Sequence, residues 1–319
     1  MTKSAVVGVD IAKLTFDAKW REGDNVRAER FTNDETGFQQ FVSGIPADAH
    51  VVMESTGTYH LRLATWLCNE GIDVSVENPA KPAYFARMKL LRAKTDPVDA
   101  GVMLAYGEYE ELALWRPVSD VISELNQLDR HITGLQGDLN RCLNRLEALT
   151  QRVTINDYTR ADLVAQSEDL SARIKRAEKE VSRLVLEHFA ELYELIRSIP
   201  GVGKKTAVMF IVLTEAFTRF PDAKRFASYL GMTSFLKQSG TSIKGSGGIT
   251  KMGNKRMRQV LYMAALTAMK LNHGCVEFAG RLKENGKPGK VIRIAVANKL
   301  IRQVFAVVEK QEVYSEQYA

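Results

Sequence analysis

The chain has 319 residues, of which 45% are hydrophobic and 26% charged, and it carries a formal net charge of +6, as expected for a globular protein of about two domains. No apolar run approaches the roughly 20 residues of a membrane helix, and the N-terminus lacks the apolar core of a signal peptide. The three cysteines, Cys68, Cys142 and Cys275, are too scattered for a disulfide framework or a CxxC metal site, so we expect a reducing, cytoplasmic setting.

The positive charge is unevenly distributed along the chain. Residues 1–196 contain 23 basic and 31 acidic side chains, whereas residues 197–319 contain 21 basic and 7 acidic ones. A segment as basic as the second indicates a polyanionic partner such as nucleic acid. The acidic first part is expected to have a different task.

The first region, residues 1–115, alternates strand-like and helix-like stretches. Strands are predicted for AVVGVDI, TFDAKW, VRAERFT, HVVMEST and IDVSVEN, which are short and rich in β-branched residues. Helices are predicted for GFQQFVSGI, YHLRLATWLCNEG and PAYFARMKLL. Three strands in hairpin succession followed by strand–helix units predict a mixed α/β sheet.

Four carboxylates in this region are expected to lie close together in the fold. Asp10 lies in the apolar strand VVGVDIAK, where a carboxylate is costly unless it is paired, hydrogen-bonded or bound to a metal. Glu54 ends another apolar strand, and Asp96 and Asp99 lie on one face at the start of a predicted helix. Such hard oxygen ligands suit Mg²⁺ or Mn²⁺, and a pair of these ions can stabilise the attacking and leaving oxygens of a phosphodiester.

Each of these acids also has an ordinary structural explanation. Asp96 suits a helix N-cap and Glu54 a surface position at a strand end, whereas Asp10 is the hardest to explain without a ligand. His60 could add a ligand, although a helix-surface imidazole is the simpler interpretation. Tyr59 is more simply a first-turn aromatic than a nucleophile.

The second region, residues 116–196, changes to a heptad period. From Val121 to Val153, apolar residues recur at alternating steps of four and three, which is an a/d seam longer than four heptads. A second seam runs from Leu170 to His188. The pattern fits either a helical hairpin within one chain or a coiled coil that joins protomers.

The third region, residues 197–319, is predicted to be helical with basic loops. Its segment SIPGVGKKTA places Gly201 and Gly203 just before Lys204, Lys205 and a helix. This pattern is typical of a helix-hairpin-helix turn, in which backbone N–H groups contact a phosphate at a helix N-terminus. The alternative is a tight turn between helices.

The stretch QSGTSIKGSGGITKMGNKR, residues 238–256, is rich in glycine and hydroxyl groups and contains no acid. Its glycines predict a mobile loop that lies close to a nucleic-acid backbone, although a linker and a carrier of a catalytic hydroxyl are alternatives. Phosphate contacts are expected from its basic residues and the helix that follows: Lys244, Lys251, Lys255, Arg256 and Arg258.

These segments together resemble a known protein family. VGVDIAK, VVMESTGTYH, RAKTDPVDA, IPGVGKKTA and QSGTSIKGSGGITKMGNKRMRQVLYMAAL occur in the same order in the DEDD transposases of the insertion-sequence 110 family, and the chain is most similar to its 1111 subgroup. The resemblance implies a RuvC-like (RNase H-like) domain at 1–115, a coiled-coil or helical linker at 116–196, and a mostly α transposase domain at 197–319. It also implies a metal-binding and catalytic tetrad and a catalytic serine: Asp10, Glu54, Asp96, Asp99 and Ser239.

The same resemblance implies a DNA recombinase that excises and inserts its element under the guidance of a structured bridge RNA, which pairs with donor and target DNA. The implied cofactor is Mg²⁺ or Mn²⁺. The implied assembly is a dimer or tetramer in the bacterial cytoplasm, acting at the nucleoid. One departure is Ser234, which stands where family members usually carry proline.

The residues alone leave two other interpretations open. One is a RuvC-like nuclease in which metal-activated water attacks the phosphodiester, and the other is a non-catalytic nucleic-acid-binding scaffold whose acids are structural. Thr241, Ser242 and Ser246 are further hydroxyls that the pattern does not exclude as nucleophiles.

Overall fold

The computed structural model describes the backbone of residues 5–55, 57–90, 96–239 and 243–316, and their side chains except for 96–98, 234–239 and 243–247. Two compact units divide the chain, Met1–Val118 and Ser119–Ala319. Within the described residues, no helix combines the length and the apolar character that crossing a membrane requires.

In its described residues, the first unit is a five-stranded mixed sheet with helices on both faces. Strand order is β3-β2-β1-β4-β5, in which β2 is antiparallel to both β1 and β3, and β4 is parallel to both β1 and β5. The predicted mixed sheet is therefore confirmed. The elements in chain order are β1 Ala5–Ile11, β2 Thr15–Glu22, β3 Asn25–Thr32, α1 Glu35–Gly44, β4 Ala49–Glu54, α2 His60–Asn69, β5 Asp73–Glu77, α3 Ala80–Met88 and α4 Asp96–Tyr109.

Successive side chains of β1 point to opposite faces of the sheet, and each face has its own hydrophobic core. Val7, Val9 and Ile11 pack with phenylalanines from β2, β3 and α1 and with apolar residues of α2. The other face packs Val52 of β4 against side chains of α3 and α4. Because Asp10 is offset by one residue from the buried valines, it belongs to the face that α4 covers.

Helix α4 lies directly on β1 at Gly8. A Cβ atom at Gly8 would lie 2.1 Å from the Leu104 nitrogen and 2.4 Å from the Ala100 oxygen, so only glycine allows this approach. A Cβ atom at Gly107, near the other end of the helix, would lie 2.7 Å from the Val6 side chain. Helix α4 therefore runs antiparallel to β1, and its first turn lies at the carboxyl end of the strand.

Replacing Gly8 with alanine is expected to destabilise the protein by about 3 kcal/mol or more, because the added methyl group would meet the backbone of α4. The Gly44→Ala variant is a matched control, since a Cβ atom there meets no described atom within 4 Å, and its effect should stay within about 0.5 kcal/mol. Urea denaturation measures both. Equal urea midpoints for the Gly8→Ala variant and the wild type would contradict the close packing of α4 on β1.

The second unit is mostly helical in its described residues. Helices make up most of the described part of residues 197–319, as the sequence predicts. Its elements are α5 Asp120–Thr150, α6 Asp157–His188, α7 Ala190–Arg197, α8 Lys204–Thr214, α9 Ala223–Tyr229, β6 Ser234–Ser239, β7 Ile243–Ile249, α10 Lys255–Leu271, α11 His273–Glu284 and α12 Gly289–Lys310.

The two long helices α5 and α6 pack against each other within the chain. Buried residues of the predicted seam on α5 include Leu125, Ile132 and Leu135, and those on α6 include Ile174 and Val181. Of the two interpretations of the heptad pattern, the described contacts are those of a helical hairpin within one chain. A coiled coil between protomers stays a prediction.

The glycine-rich stretch after α9 differs from the predicted loop. Strands β6 and β7 pair as an antiparallel hairpin, with an irregular register between Ser234 and Leu236. The pairing satisfies backbone N–H and C=O groups, so a segment with few apolar side chains can still adopt regular structure. The loop prediction is therefore wrong for these strands, while residues 240–242 lie outside the described part of the chain.

Candidate active site and nucleic-acid interface

A row of acidic residues crosses the sheet at the carboxyl ends of β1, β4 and β5. The parallel register of β1 and β4 pairs the residues just before Asp10 and Glu54, so these two acids stand side by side on strands about 4.8 Å apart. Antiparallel pairing with β2 places Asp17 beside Asp10, and pairing with β5 places Glu77 beside Glu54. Residues paired across a sheet share a face, so this row lies under α4.

The two outer acids of the row already have structural partners. Asp17 accepts a 2.8 Å hydrogen bond from Arg30 Nη2, and Glu77, only 7% exposed, forms a 2.6 Å ion pair with Lys81. The hydrogen bond to Glu77 raises the pKa of Lys81. Glu77 is absent from the predicted site, and its signal in the sequence is the acid before the last residue of IDVSVEN. The outer positions therefore stabilise the sheet.

The first turn of α4 approaches the same edge of the sheet. Asp99, which is partly buried, lies in this turn, and Asp96 begins the helix. The side chain of Asp96 lies outside the described atoms. Where side chains are described, no three His, Cys, Asp or Glu residues are grouped closely enough to hold a metal ion. The fold thus brings Asp10, Glu54 and Asp99 to one edge of the sheet, and a shared metal site stays a prediction.

His60 occupies a different environment from the one expected. It begins α2 and is only 6% exposed, so its interpretation as a helix-surface residue is wrong. Tyr59 before it is 44% exposed and takes the N-cap position without a side-chain capping bond. The apolar stripe of α2 turns the first residue of the helix inward along with Leu63 and Leu67.

Ser239 lies in the other unit, at the last position of β6. Its backbone pairs with Ile243 at the start of β7, so the serine stands at the end of the paired part of the hairpin. The side chains of Ser239, Lys244 and Ser246 lie outside the described atoms, and Thr241 and Ser242 lie outside the described residues altogether.

The turn between α7 and α8 presents a helix N-terminus flanked by lysines. Gly201 has a φ of +101°, and a Cβ atom there would lie 2.6 Å from Ala268 Cβ, so the turn packs against α10. Gly203 caps α8 without a side-chain hydrogen bond, which leaves the first-turn amides to other acceptors. Lys204 and Lys205 in that turn are exposed. The arrangement suits phosphate binding.

Asn272 holds this turn in place. It is fully buried, and its Nδ2 donates to the Pro200 oxygen at 3.3 Å and to Gln303 Oε1 at 3.2 Å. Its Oδ1 accepts from the Cys275 nitrogen and from the Tyr314 hydroxyl, each at 3.1 Å. One side chain thereby connects the turn with α11, α12 and the segment after α12, which makes the position of the α8 N-terminus rigid.

Two of the predicted phosphate contacts have partners within the chain. Arg256 Nη1 donates to the Asp129 carboxylate and, at 2.9 Å, to its carbonyl oxygen, while Arg258 Nη1 donates to the Leu230 oxygen at 2.6 Å. Burial raises the pKa of Asp129, although the Arg256 guanidinium opposes that shift. Lys251 and Lys255 are exposed. The arginines therefore position the start of α10, and their predicted phosphate contacts stay predictions.

Comparison with known proteins matches most of the chain to transposase families and to pilin gene-inverting proteins. The profile of the transposase IS116/IS110/IS902 family matches residues 193–278, and that of the DEDD transposase of IS110 matches residues 7–155. The pilin gene-inverting proteins of Moraxella bovis and Moraxella lacunata are each 30% identical over 322 residues, covering 97% of this chain and 97% of their own. The insertion element IS110 uncharacterized 43.6 kDa protein of Streptomyces coelicolor is 28% identical over 43% of this chain and 33% of its own.

Proposed function

We propose, since this chain belongs to the IS116/IS110/IS902 family of transposases, that it cleaves and rejoins DNA strands by attack of a serine on the scissile phosphate. The proposal includes carboxylates that would hold a divalent metal and guidance by a structured RNA. The protein is a DNA transposase or recombinase. The observation that supports the metal-dependent chemistry best is the register of β1 and β4, which sets Asp10 beside Glu54 at the sheet edge nearest the first turn of α4.

The chemistry of the donor set fits Mg²⁺ or Mn²⁺. Asp10, Glu54, Asp96 and Asp99 would supply only carboxylate oxygens, the ligands these hard ions prefer. Bound there, the metal would supply positive charge that stabilises the attacking and leaving oxygens at the scissile phosphate. Arg30 and Lys81 engage the outer acids of the row. The proposed ligands are its two central members and the two aspartates at the start of α4.

Ser239 is the proposed nucleophile. Its Oγ forms a bond to the scissile phosphorus, the bond to one deoxyribose oxygen breaks, and the serine proton is lost while the leaving oxygen gains one. The phosphoserine link keeps the energy of the phosphodiester until a hydroxyl of another DNA strand attacks the phosphorus and releases the serine. Serine is a weak nucleophile at its ordinary pKa, so the step requires a group that takes up its proton or stabilises the charge on its oxygen.

We assign three domains to the chain, each with its own role in this mechanism. Residues 1–115 form the RuvC-like (RNase H-like) domain, 116–196 a coiled-coil linker through which protomers assemble as a dimer or tetramer, and 197–319 the transposase domain. The mixed sheet is compatible with the first assignment, and the unit boundary at Val118 supports its limit. The exposed Lys204 and Lys205 at the α8 N-terminus support phosphate binding by the third.

The named relatives fit the same mechanism. The Moraxella proteins are named for inverting a pilin gene, and inverting a gene requires DNA strands to be cut and rejoined. Excision and insertion require the same two steps. The serine mechanism therefore accommodates either outcome, and the DNA sites and the guide decide between them.

Guidance by RNA predicts that recombination follows the sequence of the guide. Purified protein is combined with donor DNA, target DNA and RNA transcribed from the sequence that flanks its gene. Changing the target-pairing segment of that RNA should move the product junction to the newly matched target. An RNA with this segment scrambled is the control and should give no junction. Recombination at an equal rate without RNA would contradict guidance while leaving the serine chemistry intact.

A further inference from the structure

A large groove in the second unit lies outside every predicted contact except Lys251. We call it the α9–α12 groove, because residues of α9, α10, α11 and α12 and the segment 248–251 line it. Its volume of about 1120 Å³ exceeds the range of about 300–1,000 Å³ that is typical of small-molecule sites. Such a groove suits a length of polymer better than a metabolite.

The charge of the groove has one sign. Lys224, Lys251, Lys290 and Arg302 line it, all four are exposed, and none of its described lining residues is an acid. The four cations come from α9, from the segment after β7, and from the first turn and the interior of α12, so three parts of the chain bring positive charge to the groove. Cations in this arrangement attract a chain of phosphates from several directions.

The remaining lining is apolar and aromatic. Met232, Ile249 and Ile294 contribute aliphatic surface, and Tyr262 and Phe278 contribute rings. Cations lie near both rings. Arg293 Cζ lies 5.4 Å from the Tyr262 centroid. Lys299 Nζ and Arg281 Cζ lie 5.5 and 5.7 Å from the Phe278 centroid. An apolar and aromatic surface offers phosphate groups no favourable contact, whereas unpaired bases stack on aromatic rings. A duplex keeps its bases paired inside, so this lining favours a single strand.

The groove also reaches the open end of the β6–β7 hairpin, the end opposite to Ser239. Gly248 and Ile249 of β7 line it, and Ile249 pairs with Ser234 at the start of β6. Ser239 lies five residues further along that strand, about 17 Å away for an extended chain. A nucleic-acid strand in the groove would therefore lie beside the strand that carries the proposed nucleophile.

We propose that the α9–α12 groove binds a single-stranded segment of the DNA that flanks the cleavage point. Its four cations contact the phosphates, and Tyr262 and Phe278 stack on unpaired bases. The assignment to DNA rests on the proposed function, since the strand beside Ser239 is then the strand that the serine cleaves. The groove thereby keeps the strands separated while they are exchanged.

The test measures binding of the full chain to a fluorescent 20-nucleotide oligo(dT) by anisotropy in EDTA. The triple variant Lys224→Gln/Lys290→Gln/Arg302→Gln should weaken binding at least tenfold and reduce the slope of log affinity against log salt by about 2, at about 0.7 per phosphate contact. Its matched control removes three exposed cations of α6, as Arg160→Gln/Lys175→Gln/Arg176→Gln, and should bind within about twofold of the wild type. Phe278→Leu, which keeps an apolar side chain, should weaken binding about fivefold or more through lost stacking.

Three results would overturn the proposal. Equal binding by the groove variant and the α6 control would remove the groove from the interface. An effect on oligo(U) but none on oligo(dT) would assign the groove to RNA. Equal weakening for duplex DNA and oligo(dT) would exclude the contact with unpaired bases.

Failure of the proposed function gives a different result. Binding in EDTA requires neither a metal ion nor the serine hydroxyl, so the Ser239→Ala and Asp10→Asn variants should bind oligo(dT) like the wild type. Intact cleavage by those variants would refute the proposed chemistry. It would leave the measured affinity of the groove unchanged.

Discussion

Replacing Ser239 with alanine is expected to abolish DNA strand cleavage, lowering its rate by at least about 10³-fold. The reason is that the serine oxygen forms the bond to phosphorus in the proposed step, and alanine has no atom that replaces it. The DNA affinity of the variant should stay close to that of the wild type, because one hydroxyl contributes little beside the basic surface of residues 197–319.

The hairpin offers matched controls for this variant. Thr241→Ala, Ser242→Ala and Ser246→Ala each remove one hydroxyl from the same stretch of sequence and should retain cleavage. Cleavage is followed on end-labelled DNA that contains the junction of the element with its flank. Full-rate, metal-dependent cleavage by Ser239→Ala would refute the serine mechanism and favour the nuclease interpretation, in which water attacks.

Replacing Asp10 with asparagine is expected to abolish cleavage to a similar extent while DNA and RNA binding persist. Asparagine keeps the size of the side chain and removes the charge that would hold the metal. Asp17→Asn is the matched control, because Asp17 stands beside Asp10 in the same row and already pairs with Arg30. Since the Arg30 side chain is 55% exposed, the loss of this pair should cost at most about 1 kcal/mol of stability.

The two aspartate variants are compared in the same cleavage and binding assays. Titration with Mg²⁺ or Mn²⁺ should restore no cleavage to the Asp10→Asn variant, whereas Asp17→Asn should follow the wild-type metal dependence. Intact cleavage by Asp10→Asn would assign this acid a structural role. A thermal melt confirms that both variants are folded.

The sheet domain could largely be predicted from local pattern. Short β-branched segments with period-2 alternation indicate the strands, and the cost of a carboxylate among valines singles out Asp10. Register is a long-range property, so the sequence does not show that Asp10 stands beside Glu54, or that Glu77 joins them from β5. The close approach at Gly8 is equally invisible, because the atoms it meets lie more than 90 residues away.

The second unit shows where local pattern fails. Glycine has little conformational preference, so the composition of residues 238–249 predicts a loop, although pairing between β6 and β7 orders much of this stretch. Arg256 belongs to a basic run, yet its guanidinium binds Asp129, which lies 127 residues earlier. The α9–α12 groove draws its cations from separate elements, so no single segment of the sequence indicates it.

The most direct test of the serine mechanism is to trap the covalent intermediate. A DNA substrate nicked beside the cleavage point loses its leaving fragment, so the phosphoserine link cannot be reversed, and the adduct is digested with trypsin for mass spectrometry. The predicted result is a nucleotide attached through phosphate to Ser239 in the peptide of residues 238–244. Cleaved DNA without any covalent adduct, or an adduct on another residue, would contradict the mechanism.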